Sequence, residues 1–97
     1  MKAAIYSGLN QISVQQVADP VIADPYEVIL KVHTCSVCGS DLRIFHHGNP
    51  RVKPPQVIGH EVAGEVVAIG SDVRHLKLGD RVAVGADVPC GECHWCR

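Results

Sequence analysis

Three cysteines near the end of the sequence constrain this chain more than any other feature. They stand in "PCGECHWCR", residues 89–97, where Cys90, Cys93 and Cys96 have C-x2-C-x2-C spacing. Three thiols on one short loop can close around a single zinc ion, which prefers four tetrahedral ligands and deprotonated sulfur. Disulfides are disfavoured, because neighbours at this spacing close strained loops and one cysteine would stay unpaired. The spacing therefore predicts a metal site that still needs a fourth ligand.

Other interpretations of this loop stay open on spacing alone. Bacterial ferredoxins hold an iron–sulfur cluster with C-x2-C-x2-C-x3-C-P, and the chain stops before the position of that fourth cysteine. Free thiols without metal are the plainest alternative, although three cysteines at this spacing rarely arise from packing. His94 is disfavoured as the fourth ligand, because it stands between two of the cysteines, where a side chain usually faces outward.

Composition restricts the kind of partner. The chain has 97 residues, a net charge of −1 and no basic run, so nucleic acid gains no electrostatic support. It has neither an 18-residue apolar run nor the apolar core of a signal peptide, which predicts no membrane partner. We expect one small domain in the cytoplasm, where clustered thiols indicate metal or catalysis before disulfides.

Hydrophobic alternation with a period of two predicts a mostly β fold. The β-rich runs cover residues 2–6, 11–17, 26–37, 61–70 and 80–85, with a hairpin at "SGLN" and one or two helical turns at 38–47, capped by Ser40 or Asp41. Gly64 inside a strand pattern predicts a bulge, a bend or a close backbone approach. Short strands separated by glycine and proline favour a partly open β-barrel. No G-x-G-x-x-G lies between a strand and a helix, so the chain carries no Rossmann dinucleotide site.

A second group of metal-binding residue types lies in "CSVCGSD" (35–41) and "GHE" (59–61). A catalytic zinc takes three protein ligands and leaves one position for water or substrate. Cys38 and His60 are two candidate ligands, and Asp41 or Glu61 would orient them. No thioredoxin-like βαβ unit accompanies the C-x2-C of Cys35 and Cys38, so we interpret Cys35 as a small apolar strand residue.

The segments "CGSD", "GHEVAGEVVAIG", "GDRV" and "CGECHWC", in this order, resemble the start of the zinc-dependent medium-chain alcohol and polyol dehydrogenases. The zinc signature G-H-E-x2-G-x5-G of that family matches Gly59, His60, Glu61, Gly64 and Gly70. The residues of "CSVCGSDL" and "PCGECHWC" are most similar to the sorbitol and threonine dehydrogenase branch of the family. The resemblance implies a GroES-like fold for residues 1–97.

The resemblance also implies a role for each site residue. Cys38 and His60 would be the first two catalytic zinc ligands, with Glu61 beside the metal as an alternate ligand or an orienting group. Ser40 would bind the substrate oxygen and start a proton relay, and Asp41 would support the ligands. Cys90, Cys93 and Cys96 would be three of four structural zinc ligands.

One position departs from the family pattern. Many members carry a histidine two residues after the aspartate, where it passes the relayed proton to solvent, and this chain has Arg43. Arginine is effectively always protonated and cannot relay a proton in the ordinary way. The resemblance therefore leaves Arg43 a different role, contact with a phosphate or ribose of the cofactor.

As a whole, the resemblance implies an N-terminal fragment of a larger enzyme that oxidises an alcohol or polyol and transfers hydride to NAD or NADP. The third catalytic ligand, the fourth structural ligand and a Rossmann domain would follow Arg97. The fragment alone would be inactive, and the parent chain would be a homo-oligomer acting on a small molecule. The alternative from another class is a small metal-binding or iron–sulfur electron-transfer protein built on the terminal cysteine loop.

Overall fold

Six strands and one helix make up the fold in the computed structural model, which describes residues 1–97. The elements are β1 (Lys2–Gly8), β2 (Gln11–Gln16), β3 (Val28–Ser36), α1 (Gly39–His47), β4 (Gln56–Val57), β5 (Glu61–Ile69) and β6 (Arg81–Ala83). The predicted mostly β class is confirmed, and the single helix of nine residues is slightly longer than the one or two turns expected. No helix is long and apolar enough to cross a membrane.

The strands form two open, antiparallel three-stranded sheets, ordered β2-β1-β4 and β3-β5-β6. The predicted hairpin is confirmed between β1 and β2. Asn10 in its turn has a φ of 58°, a left-handed conformation that asparagine tolerates better than most residues. The Asn10 backbone N–H donates to the carbonyl of Phe45 at 2.8 Å, which ties this hairpin to the C-terminal end of α1.

Gly64 lies where β3 and β5 approach most closely. The strand register shifts between Val32 and Thr34, so that His33 is an extra residue opposite Gly64 and Ala63. A Cβ atom at Gly64 would lie 2.5 Å from the carbonyl oxygen of Lys31. The predicted bulge and close approach are both confirmed, because only glycine leaves room for the β3 backbone here.

The helix lies within the expected stretch 38–47, but its cap stands two to three residues earlier than the sequence suggested. Its cap is Cys38, in extended conformation, and the first helical residue is Gly39. The prediction of Ser40 or Asp41 as the cap residue is therefore wrong. Asp41 instead occupies the third helical position, where its Oδ2 accepts a hydrogen bond of 2.9 Å from the Cys38 backbone N–H. That bond fixes Cys38 at the start of the helix.

The buried core is small. Its apolar members are Ile5, Tyr6, Val66 and Val73, from β1, β5 and the loop after β5. Asp41 is the buried charged residue, 8% exposed, at the N-terminal end of α1. Two segments distant in sequence meet beside it, the start of α1 and the start of β5, and these carry the predicted catalytic residues.

Candidate metal centre

Cys38, His60 and Glu61 come together as the first candidate site. One donor atom from each lies within 4.8 Å of the others. Cys38 is held by the helix cap, and His60 and Glu61 stand at the entry to β5. Tetrahedral zinc with bonds of about 2.0–2.3 Å separates its ligands by about 3.3–3.8 Å. Small side-chain rotations would therefore bring all three donors onto one ion.

Asp41 lies behind His60. Its Oδ1 is 3.4 Å from His60 Nδ1, while its Oδ2 is bonded to the Cys38 backbone. Oδ1 is buried and has no hydrogen bond, so a slight turn of the imidazole would let Nδ1–H donate to it. A histidine held in this way presents the Nε2 lone pair to a metal. The unsatisfied buried oxygen and the sulfur–nitrogen–carboxylate donor set both fit zinc.

Hydrogen bonds favour the charged forms of Cys38 and His60. The Ser40 hydroxyl, then the Ser40 backbone N–H and His60, lower the pKa of the Cys38 thiol. The hydrogen bond to Cys38 raises the pKa of His60 against its desolvation, and Asp41 adds to the rise. The thiolate is the form of cysteine that ligates metal. Cys38 is thus prepared electrostatically as a ligand.

Ser40 and Arg43 occupy different positions relative to this cluster. Ser40 Oγ lies 3.2 Å from His60 Nε2, within hydrogen-bonding distance. Arg43 is exposed, one helical turn further on. It shares with Ser40 the lining of a cavity of about 330 Å³.

Cys90, Cys93 and Cys96 form the second candidate site. Cys96 Sγ lies 3.5 Å from Cys93 Sγ and 3.8 Å from Cys90 Sγ. Hydrogen bonds from the backbone N–H groups of Glu92 and Cys93, followed by the neighbouring thiols, lower the pKa of Cys90 to about 7. Gly91 turns the loop with a φ of 75°, a conformation that favours glycine. The three sulfurs are spaced for one tetrahedral ion and leave its fourth position open.

Two further cysteine and histidine predictions concern residues outside the clusters. Cys35 lies on β3 and is not grouped with Cys38. Its Sγ packs against Gly59, where an added Cβ atom would lie only 2.9 Å from the sulfur. His94 is not grouped with the three cysteines, and its ring packs edge-on against Trp95 with centroids 5.1 Å apart. Neither residue joins a metal-binding group.

Sequence reasoning did not single out Asn49 and Pro50, which line the cavity beside Arg43 together with Ile44 and Gly48. They stand in a stretch interpreted only as a proline-rich loop. The sequence feature that distinguishes this stretch is its charge, because residues 42–60 contain three lysines or arginines and no aspartate or glutamate.

Comparison with known proteins decides the family. The alcohol dehydrogenase GroES-like domain matches residues 24–97. The chain belongs to this family. The predicted resemblance and the GroES-like fold class are confirmed, and the zinc-type relatives favour the dehydrogenase interpretation over an iron–sulfur protein.

Several relatives align with most or all of the chain. It is 42% identical over 97 residues to the zinc-type alcohol dehydrogenase-like protein AdhB of Bacillus subtilis, covering 100% of this chain and 26% of AdhB. It is 42% identical over 100 residues to sorbitol dehydrogenase of Bacillus subtilis, covering 100% of this chain and 28% of that enzyme. It is 49% identical over 76 residues to L-threonine 3-dehydrogenase of Pyrococcus horikoshii, covering 75% and 22%.

Solved structures agree with this relationship. The alcohol dehydrogenase TADH from Thermus sp. ATN1 superposes with a TM-score of 0.88 and 34% identity over 99% of this chain and 28% of that chain. A putative zinc-binding dehydrogenase from Sinorhizobium meliloti, bound to NADP, superposes with a TM-score of 0.81 and 36% identity over 98% and 27%. The chain thus spans about a quarter of the length of the proteins it matches.

Proposed function

We propose that the protein carrying this chain is a zinc-dependent dehydrogenase that oxidises an alcohol or polyol to a carbonyl compound. The alcohol would lose a proton to the protein and a hydride to NAD or NADP. The observation that carries the proposal is the cluster of Cys38, His60 and Glu61, with donor atoms within 4.8 Å and Ser40 beside it. The sorbitol and threonine dehydrogenases among the relatives support the alcohol substrate class.

Cys38, His60 and Glu61 would hold the catalytic zinc, and Cys90, Cys93 and Cys96 would hold a structural one. A catalytic zinc acts as a Lewis acid that lowers the pKa of a hydroxyl group. Asp41 would keep the His60 ring oriented, because its buried Oδ1 faces His60 Nδ1 and has no other partner. The charge of this carboxylate would strengthen His60 as a ligand.

Ser40 would move the proton. Its hydroxyl lies 3.2 Å from His60 Nε2, so a substrate hydroxyl bound there comes within hydrogen-bonding reach of Ser40 Oγ. Ser40 would accept the proton and release it to water or to the cofactor ribose. Arg43 cannot continue this relay, because a guanidinium does not lose its proton in proteins.

The remaining parts of the proposal concern the whole enzyme. Residues 1–97 would form an incomplete GroES-like catalytic domain, with the dinucleotide bound outside them. The enzyme would be a cytoplasmic homo-oligomer, and residues 1–97 by themselves would not turn over substrate. These expectations follow from the family, because the relatives named above are about four times as long as residues 1–97.

The decisive experiment compares two cysteines three residues apart in the native protein. Cys38→Ser should lower kcat/KM for polyol oxidation at least 1,000-fold and remove one zinc equivalent, because serine is a poor zinc ligand. Cys35→Ser is the matched control, since Cys35 lies outside the metal cluster, and it should keep both activity and zinc. Full turnover by Cys38→Ser would overturn the assignment of this cluster as the catalytic centre.

A further inference from the structure

The C-terminal end of α1 is held by the hairpin tip, residues 9–10 between β1 and β2. The Asn10 backbone N–H donates to the Phe45 carbonyl at 2.8 Å, and His46 Nδ1–H donates to Asn10 Oδ1 at 2.9 Å. The last four carbonyls of a helix have no partner within it, and Phe45 carries one of them. A single hairpin residue thus binds the helix end through both its backbone and its side chain.

The backbone of Asn10 is suited to this contact. Its φ is 58°, and asparagine and aspartate adopt this left-handed conformation at lower cost than other residues with a side chain. The tip also approaches Gly48, the residue after the helix. A Cβ atom there would lie 3.5 Å from Leu9 Cδ2 and 3.6 Å from the Tyr6 hydroxyl oxygen. The hairpin and the helix end therefore meet at two neighbouring points.

Packing fixes the direction of α1 only weakly within residues 1–97. The pairs of elements that contact each other extensively are all pairs of strands. An apolar cavity of about 440 Å³ separates α1 from the hairpin, with Leu42 and Phe45 in its lining from the helix and Ala4 and Ile12 from the strands. A cavity supplies no van der Waals contacts across it. The hydrogen bonds of Asn10 therefore carry the connection between the hairpin and this end of the helix.

The other end of α1 belongs to the metal centre. A helix of nine residues is a stiff rod of about 13 Å, so a change in its direction also moves its first turn. Cys38 caps that turn and Ser40 lies within it. His60 reaches the same cluster from a separate element, at the entry to β5. The placement of Cys38 relative to His60 therefore depends on how α1 is held.

We propose that Asn10 is a positioning residue of the metal centre: the hairpin tip holds α1 so that Cys38 keeps its place relative to His60. The inference rests on the proposed function, because it concerns the same cluster. Asn10 is not among the clustered donors, and it acts on them through the helix.

Metal binding can be measured without turnover. Cobalt(II) replaces zinc in the native protein, and its visible absorption separates the Cys38–His60–Glu61 cluster from the all-sulfur terminal loop. Asn10→Val removes the acceptor for His46 and disfavours the left-handed backbone. It should weaken cobalt binding at the cluster about three- to tenfold, the usual worth of one hydrogen bond, and leave the terminal loop unchanged. Asn10→Asp keeps both features and should bind cobalt within twofold of the wild type.

Two further measurements separate positioning from a general loss of stability. Gly70→Ala forces a Cβ atom against the Pro25 backbone, beyond the end of β5 that lies far from His60. Its cobalt affinity at the cluster should stay within twofold of the wild type. Asn10→Gly and His46→Phe remove the same side-chain hydrogen bond, so the double variant should bind cobalt no more weakly than either single variant.

Three results overturn the positioning role. Asn10→Val can bind cobalt like the wild type. Gly70→Ala can lose as much affinity as Asn10→Val, which would reduce the effect to lost stability. The losses from Asn10→Gly and His46→Phe can add, which would show that the two residues do not act through one bond. A wild-type cluster that binds no cobalt would refute the proposed function as well. Cobalt binding that depends on Asn10, without oxidation of any alcohol or polyol, would refute the proposed function and leave the role of Asn10 intact.

Discussion

At the scale of single residues, the Asp41 carboxylate contacts both the backbone of Cys38 and the imidazole ring of His60. One carboxylate oxygen accepts the Cys38 backbone N–H at 2.9 Å, and the other lies 3.4 Å from His60 Nδ1. Because the residue is only 8% exposed, its charge acts at short range with little screening. A single side chain thus positions two residues that are 22 positions apart in the sequence.

Asp41→Asn should weaken zinc binding at the Cys38–His60–Glu61 cluster by about 10- to 100-fold, the usual effect of losing a group that orients a metal-bound histidine. The amide keeps one oxygen for the Cys38 backbone but loses the negative charge that faces His60. Competition with a chromophoric zinc chelator measures the affinity. Asp72→Asn, on an exposed ion pair with Arg74, is the control and should bind zinc like the wild type. Equal affinities for all three proteins would refute this role of Asp41.

Cys90 should be the thiol of the terminal loop that reacts at neutral pH. The pKa of Cys90 is lowered from 9.0 to about 7, mainly by the backbone N–H groups of Glu92 and Cys93. A lowered pKa means that the thiolate predominates above pH 7, so the rate of alkylation should rise with a midpoint near pH 7 in the metal-free protein. Iodoacetamide labelling with peptide mass spectrometry measures this rate. Zinc should suppress it, and a midpoint near pH 9 would contradict the hydrogen-bond pattern of the loop.

At the scale of elements, two glycines allow close backbone contacts around β5: Gly64 lies within the strand and Gly70 directly follows it. A Cβ atom at Gly64 would lie 2.5 Å from the Lys31 carbonyl oxygen, and one at Gly70 would lie 2.2 Å from the Pro25 carbonyl oxygen. Both contacts are with backbone, which cannot rotate away as a side chain would. Glycine at these two positions is thus a requirement of packing between β5, β3 and the loop before β3.

Gly64→Ala and Gly70→Ala should each lower the free energy of unfolding by about 1–3 kcal/mol, the usual cost of forcing extra volume into a packed site. Gly85→Ala is the control, because its Cβ atom would meet its nearest neighbour only at 4.0 Å. It should stay within about 0.5 kcal/mol of the wild type. Urea denaturation of the three variants gives the comparison. A neutral effect at Gly70 would show that the loop at Pro25 moves aside.

Features that depend on residues close together in the sequence could be predicted, whereas contacts between distant residues could not. The strands and the hairpin are visible from local alternation and turn residues, and the metal-binding residues are visible from their spacing. The contact between Gly70 and Pro25 is not, because it depends on how a loop folds back across 45 residues. The cap at Cys38 was missed because cysteine is a rare cap residue, whereas serine and aspartate are favoured. The cavity at Arg43 could not be predicted either, because its lining depends on the path of the loop after α1.

At the largest scale, residues 1–97 taken by themselves expose more surface than a compact monomer of the same mass. Its accessible area is 7617 Å², whereas a compact monomer of this mass has about 5,400 Å². Its radius of gyration is 15.1 Å, against about 12.5 Å for a typical domain of this length. Val14, Val37, Val88 and Trp95 are each more than 70% exposed. The apolar core within residues 1–97 is correspondingly small.

Zinc should therefore stabilise the 97-residue polypeptide, and through one site more than the other. Cys38 and His60 meet only in the folded chain, so zinc held there favours folding by mass action, by about 2.7 kcal/mol at 100 times the dissociation constant. For a domain of this size that corresponds to about 10–20 °C in Tm. The cysteines of the terminal loop lie within seven residues, so the unfolded chain can also bind zinc there, which cancels most of the gain. Thermal melts with and without zinc should show a large shift for the wild type and for Cys93→Ser, and little shift for His60→Ala. The reverse order would mean that the terminal loop, and not the Cys38–His60–Glu61 cluster, couples metal binding to folding.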